Sequence, residues 1–370
     1  MDNKTEVAST GTVPVKTLDE VFAENKMDTV SNEYRKILTA GSIGDISSSM
    51  TNMFLGINHR QNPGTISINR DTYGLTLFSR PTLNLSDGNL KGNRNMIKLL
   101  NPNPNSYGRA IRVCLDYELN ARGINTDLFD NQSAFITILT NTLVSMSGWP
   151  DMSLPVHSSK SGLFKEEWAF PDGHVRIDYS FDLSCNFQNM EGDPVNFLMQ
   201  TWIEYMSATF MGNMAPYPKY AINNRYDAYT GIWRLVLDET KTKIQKIART
   251  GLGAFPINTR SGSSFDFDSD KPLNQSNDEI SYSFKAIGAC YNDEMLYREF
   301  NLLGEFFNDH LRPNAKDKFY AKVPMEYIQY FNWKGYPLIN EDTIELEWWV
   351  PKEDLLNVTK SYSTNKGAKN

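Results

Sequence analysis

Glu345 and Glu347 stand two residues apart in a run that alternates polar and apolar side chains, Glu345-Leu-Glu347-Trp-Trp-Val350. On a strand both carboxyl groups project from one face, roughly 7 Å apart. That separation falls in the range an inverting glycosidase uses, with one carboxyl as acid and the other activating water. Trp348 and Trp349 beside them have flat apolar rings suited to stacking on a sugar or anchoring a subunit interface. The same spacing arises on any exposed strand face, so carbohydrate binding and subunit contact stand beside hydrolysis as readings.

Asp266, Asp268 and Asp270 occupy the first three acidic positions of a calcium loop, where alternate carboxylates converge on a hard cation. Lys271 stands where that loop requires glycine, and Asn277 where it requires a bidentate glutamate, so the stretch reads as a solvated acidic loop. The four histidines, His59, His157, His174 and His310, are far apart and form none of the short metal-binding spacings. Cys114, Cys185 and Cys290 are isolated and odd in number, which fits buried thiols rather than a disulfide framework. Gly251-Leu-Gly253-Ala-Phe-Pro256 starts like a dinucleotide fingerprint, but proline replaces the third glycine and no helical pattern follows; it reads as a turn. No catalytic, cofactor-binding or metal residue is assigned, and the expected protein is not an enzyme.

With 370 residues the chain can bury a large core, and aromatic residues make up 12% of it, an enrichment that favours strands and packed interfaces. Its net charge is −7 with the basic residues dispersed, which argues against a surface that grips phosphates. A conduit along which nucleic acid slides without sticking is compatible with that balance. No apolar run reaches the length of a membrane-spanning helix and the first residues lack the apolar centre of a signal peptide, so a cytosolic origin is expected.

The elements that must position these residues are legible from periodicity. Three amphipathic helices are expected. One runs from Asp130 or Asn131 through Phe135, Leu139, Leu143 and Met146 to Gly148. The next follows Asp193-Pro194 through Val195, Leu198, Met199, Trp202, Met206 and Phe210, and the third follows Asn292 through Leu296, Phe300, Leu303, Phe307 and Leu311. Strands are expected at Val175–Gln188, around Ile280–Ala286 and at Ile344–Val350, with a hairpin joining Gly231–Glu239 to Lys243–Arg249. Tyr73–Phe78 reads as a further strand, which Arg80-Pro81 ends because proline lacks the N–H a ladder needs. Long irregular stretches fill Gly148–Glu167 and Gly253–Asn277, and loops of that length are often held by neighbours.

The fold expected is α+β and β-rich, with antiparallel sheets or a sandwich or barrel, three amphipathic helices and long loops. Polar residues 1–16 and 357–370 are expected to be flexible arms around a body at 17–356, which divides, if it divides, near 150–170.

Two segments carry a family likeness. Tyr73-Gly-Leu-Thr-Leu-Phe-Ser-Arg-Pro-Thr-Leu-Asn-Leu85 and Thr250-Gly-Leu-Gly-Ala-Phe-Pro-Ile-Asn258 resemble segments of tail- or neck-associated virion structural proteins of large tailed bacteriophages. The resemblance implies a subunit made in the bacterial cytoplasm that assembles with copies of itself, and with other tail or neck proteins, into a tube, baseplate or tail–neck junction. DNA passing through a lumen would be its only nucleic-acid contact, and no membrane or cofactor is implied. Arg80 and Trp349 are the side chains expected at subunit boundaries. The alternatives are a receptor- or carbohydrate-binding virion protein using Trp349 and a cell-wall glycoside hydrolase using Glu345 and Glu347.

Overall fold

The computed structural model describes residues 73–173, 179–223, 226–238, 241–262, 279–331 and 334–357. The arms, apart from Asn357, lie outside the described residues, as do Asp266, Asp268, Asp270, His59 and His174.

Eleven described strands form three antiparallel sheets. Six of them, β1 (Tyr73–Phe78), β2 (Leu143–Ser147), β5 (Ser180–Gln188), β6 (Ile232–Leu237), β7 (Ile244–Pro256) and β8 (Glu279–Tyr291), make the main sheet in the order β1-β6-β7-β8-β5-β2. β9 (Tyr320–Val323), β10 (Tyr336–Asn340) and β11 (Glu345–Pro351) make a second sheet, and β3 (Val156–Ser158) pairs only with β4 (Ala169–Pro171). The helices that matter below are α1 (Asp87–Lys91), α2 (Tyr107–Leu115), α3 (Thr137–Thr142), α4 (Pro194–Phe210), α5 (Pro218–Ile222) and α6 (Met295–Phe307). The fold is α+β with antiparallel sheets, as the periodicities predict, and no described helix is long and apolar enough to cross a membrane.

Alternation in β5 places Phe181, Leu183, Cys185 and Phe187 in the core and leaves Ser180, Asp182, Ser184 and Gln188 exposed. Paired across from them, Ile280, Tyr282, Phe284 and Ala286 of β8 continue the apolar face, which α2, α3 and α4 cover. At the other end of the sheet the opposite face is buried. In β6, Trp233, Leu235 and Leu237 enter a second core with Ile247, Leu296, Phe300 and Phe307, while the preceding Ile232 belongs to the first. Adjacent strand residues point to opposite faces, so one sheet serves two cores, one on each side.

The change of buried face occurs where β7 and β8 are both irregular. Their register shifts between Thr250 and Gly253, with Gly253 at φ 141° and Gly288 at φ 70°. A Cβ on Gly251 would crowd the Gly288 Cα at 3.2 Å, and Gly288 itself holds a φ that side chains rarely adopt. The segment that reads as a turn is therefore a bulged strand, and the bulge pushes Leu252 into solvent.

All three helical expectations change in part. The helix expected from Asp130 to Gly148 shrinks to α3, and Leu143–Ser147 instead joins β5 as a strand. The segment Thr137-Ile-Leu-Thr-Asn-Thr-Leu-Val is rich in β-branched residues, and the β5 edge supplies the partners that decide a weak helical preference. In α4 the buried stripe ends at Ala208, leaving Phe210 exposed. The third helix, α6, starts three residues after Asn292, and His310 and Leu311 fall in a separate 3₁₀ turn. Strand β11 is buried on both sides rather than alternating wet and dry, because β9 and β10 flank it and its faces enter two apolar clusters.

Gly253→Ala places a Cβ 2.8 Å from that of Tyr229 at a φ that side chains avoid. It should destabilise the fold by about 1–3 kcal/mol, seen as a lower urea midpoint with unchanged slope.

Candidate assembly surface

Downstream of β1 the chain passes through the first core as a buried extended segment, and buried polar side chains satisfy its backbone. Arg80 is 4% exposed. Its Nε donates to the Cys114 carbonyl at 2.8 Å and Nη2 to Val113 at 2.6 Å, while Nη1 donates to Asn131 and Ser133 at 2.9 and 3.1 Å. Val113 and Cys114 lie in the last turn of α2, whose carbonyls lack helical donors and carry the negative end of the helix dipole. The guanidinium thus caps α2 and ties it to the turn before α3. Phe129, Phe307 and Tyr117 surround it with ring centroids 4.9, 5.1 and 5.9 Å from Cζ. Burial lowers its pKa, and Cys114, Asp130 and Asp116 oppose that shift.

Two buried carboxylates hold the continuation. Asp116 accepts from the Leu85 N–H and the Tyr217 hydroxyl, both at 2.8 Å, and from the Glu118 N–H at 3.0 Å. Burial pushes its pKa up to about 6 despite those three donors. Asp227 accepts from the Tyr205 hydroxyl, which also receives the Asn84 N–H at 3.3 Å, and burial raises the Asp227 carboxyl as well.

The other residues with chemical potential are likewise engaged. Glu347 is 6% exposed, with Oε1 2.9 Å from Lys322 Nζ and 3.0 Å from Asn340 Nδ2, and its Oε2 accepts from Trp349 Nε1 at 3.0 Å. Burial raises its pKa, but the Lys322 and Asn340 hydrogen bonds and the Lys322 charge outweigh that and leave it below the ordinary value. The expectation of two carboxyls on an exposed face therefore fails, since Glu347 is enclosed beside half-buried Glu345. Trp349 packs among Leu311, Tyr320, Tyr336 and Leu338, with Lys316 Nζ 4.2 Å from its centroid. Arg80 and Trp349 are thus placed inside the chain, where each leaves a neighbour little area to contact. Cys114 and Cys185 are buried and their thiols pushed up to about 12, and Cys290 is half-buried. His157 and His310 lie against Phe170 and Phe319. Among the described residues no group of three or more His, Cys, Asp or Glu is placed to hold a metal ion.

What faces outward is different in kind. β1 and β2 are the outer strands of the main sheet, and neither contains a charged residue or proline, the usual guards of an open edge. The face of β2, β5 and β8 away from the first core carries Ser145, Ser147, Ser184, Ser281 and Ser283, with Asp182 and Lys285 paired at 2.9 Å. The hairpin β3–β4 projects with Leu163, Phe164, Trp168 and Phe170 exposed. Sequence reading treats this stretch as a long loop; its signal was large apolar residues among turn formers.

An α+β scaffold whose buried ionisable groups brace the chain, and whose open edges and apolar hairpin face out, has the attributes of a structural assembly protein. The chain belongs to the family described as "Putative phage tail tube protein", whose model matches residues 11–363. It is accordingly a structural subunit of a phage tail and a virion component. None of the curated proteins compared with the chain matches it. Among solved structures, the tube-terminating cap of the anti-feeding prophage overlaps 41% of this chain and 80% of its own, at 13% identity and a TM-score of 0.24. The sheath–tube complex of an extracellular contractile injection system (PVC) in the extended state overlaps 43% of this chain and 83% of its own, at 14% identity and 0.26. Overlaps this slight support neither a shared overall architecture nor a shared partner.

Arg80→Ala should cost on the order of 4 kcal/mol by orphaning four carbonyls, and Arg80→Lys should recover less than half of it, as read by urea denaturation. Asp116 predicts a pH dependence. Between 3.8 and about 6 the folded chain holds a proton that the unfolded chain has released. The associated stability is complete below the lower value and is lost as pH rises through the upper one. Melting temperatures between pH 4.5 and 7 should show this fall, and Asp116→Asn should flatten it.

Proposed function

We propose that the chain forms the wall of the tail tube by closing rings of identical copies, the β1 edge of one copy pairing with the β2 edge of the next. The supporting observation is the pair of uncharged open edges on one sheet. Among the described residues β2 and the Tyr73–Leu77 part of β1 have no strand on their outer side, while Phe78 O already accepts the Ile136 N–H at 2.8 Å, and a head-to-tail contact of two unlike edges closes a ring when the rotation allows. Other tail proteins meet the ends of the tube, and assembly takes place in the host cytoplasm.

In this arrangement the serine-lined face of β2, β5 and β8 borders the lumen. Short neutral hydroxyls and a self-neutralised Asp182–Lys285 pair offer DNA no phosphate grip, so a duplex moves past without being held. The subunit works by holding shape and catalyses no reaction.

Val144 lies on β2 with its side chain half exposed. Val144→Lys should leave the melting temperature within a few degrees of wild type while converting rings to smaller species, judged by light scattering and negative-stain microscopy. Rings that persist unchanged would sink the edge-pairing reading.

A further inference from the structure

Among the described residues no other element packs extensively against the hairpin β3–β4, although it is well formed. Hydrogen bonds join Asp172 N to Pro155 O at 2.8 Å, Ser159 N to Trp168 O at 2.8 Å and Gly162 N to Glu166 O at 2.9 Å. The Glu166 carboxylate closes the tip by accepting the Phe164 N–H at 2.8 Å. A two-stranded hairpin is marginal in water, and one that displays Leu163 at 90%, Phe164 at 86% and Trp168 at 76% exposure gains from being covered. The arm is also acidic: between residues 148 and 173 Asp151, Glu166, Glu167 and Asp172 face only Lys160 and Lys165.

A surface of opposite character lies on the helical layer of the first core. Residues 88–115 contain Lys91, Arg94, Lys98, Arg109 and Arg112 and no Asp or Glu, in a chain of net charge −7. Arg112 is buried and paired with Asp87, but Lys91, Arg94 and Lys98 are exposed, and no carboxylate among the described residues forms an ion pair with them. Ile97 and Tyr107, each about half exposed, lie among them. Cations interleaved with apolar side chains match an arm that mixes carboxylates with aromatics.

We infer that the β3–β4 arm of one copy seats on the surface formed by α1, the 3₁₀ segment Arg94–Leu100 and α2 of a second copy. Trp168 and Phe164 are the apolar anchors against Ile97 and Tyr107, and Glu167 and Asp172 meet Lys91, Arg94 and Lys98. The contact is heterologous, since arm and seat are different surfaces, so it propagates from copy to copy. It rests on the self-association proposed above but uses neither sheet edge.

The test is made in the Val144→Lys background, so that edge pairing does not mask it. There the otherwise wild-type chain should form head-to-tail oligomers at low salt that shrink as salt is raised. Phe164→Ser/Trp168→Ser and, separately, Lys91→Glu/Arg94→Glu/Lys98→Glu should each be monomeric by light scattering, with association weakened at least about 30-fold. All five side chains are exposed, so thermal melts should stay near that of the background. Mixed one to one, the two variants should form dimers and nothing longer, because one contributes a sound arm and the other a sound seat. Oligomers that survive either set of substitutions, or a background chain that stays monomeric at low salt, would overturn the arm contact. In the latter case, rings from the unsubstituted chain would leave edge pairing intact. Rings that persist in Val144→Lys would reject edge pairing, while loss of higher-order stacking in the arm variant would still support the arm.

Discussion

A guanidinium without a carboxylate partner organises this protein. Arg80 enters the first core carrying a charge that burial penalises, and four backbone carbonyls with three aromatic faces compensate it. Because those carbonyls come from the end of α2 and from the turn before α3, one side chain fixes where both helices meet the exit of β1. Pro81 follows directly, so the strand stops where the clamp needs the chain to leave the sheet. Phe307 of α6 touches the same guanidinium, which links the second helical layer to the first.

Around that clamp a single sheet serves two cores on opposite faces, and in β8 the change of face falls at the Gly251–Gly288 crossing. Were β8 regular, Ala286 and Cys290 would share a face, whereas they pack against the first and the second core. The irregularity at Gly288, which holds φ 70°, lies between those two residues, opposite the register shift of β7. Among the described residues the serine-lined surface is left without a helical layer, and β1 and β2 have no strand on their outer sides. The internal economy of the fold thus produces the outward features a tube subunit needs.

Ionisable groups that look reactive in isolation are absorbed by this framework. Glu347 neutralises Lys322 and orients Trp349, while Asp116 and Asp227 satisfy N–H and hydroxyl donors along the buried exit segment. Groups committed to structural hydrogen bonds leave little for substrate chemistry, which agrees with membership of a tail tube family.

Much of the scaffold was legible in the sequence because the relevant signal is local. Alternation in β5 and β8, the helix after Asp193-Pro194 and the β6–β7 hairpin each follow from period and breakers within one short window. Leu143–Ser147 was misread as helix because its fate depends on the β5 edge, which is distant in sequence. Glu347 and Trp349 seemed exposed because alternation shows that a strand has two faces but not whether a neighbour covers the second. Sequence by itself determined five of the six strands of the main sheet together with β11, the two longest helices, the stop at Arg80-Pro81 and the lack of a recognised catalytic signature. Tertiary structure decided that Arg80 faces inward, that the Gly-Leu-Gly run is a bulge in β7, and that Val156–Pro171 forms a hairpin with exposed apolar side chains. The physical reason is that burial and pairing depend on residues brought together from more than thirty positions away, as Arg80 and Cys114 are, and local periodicity carries no record of that encounter.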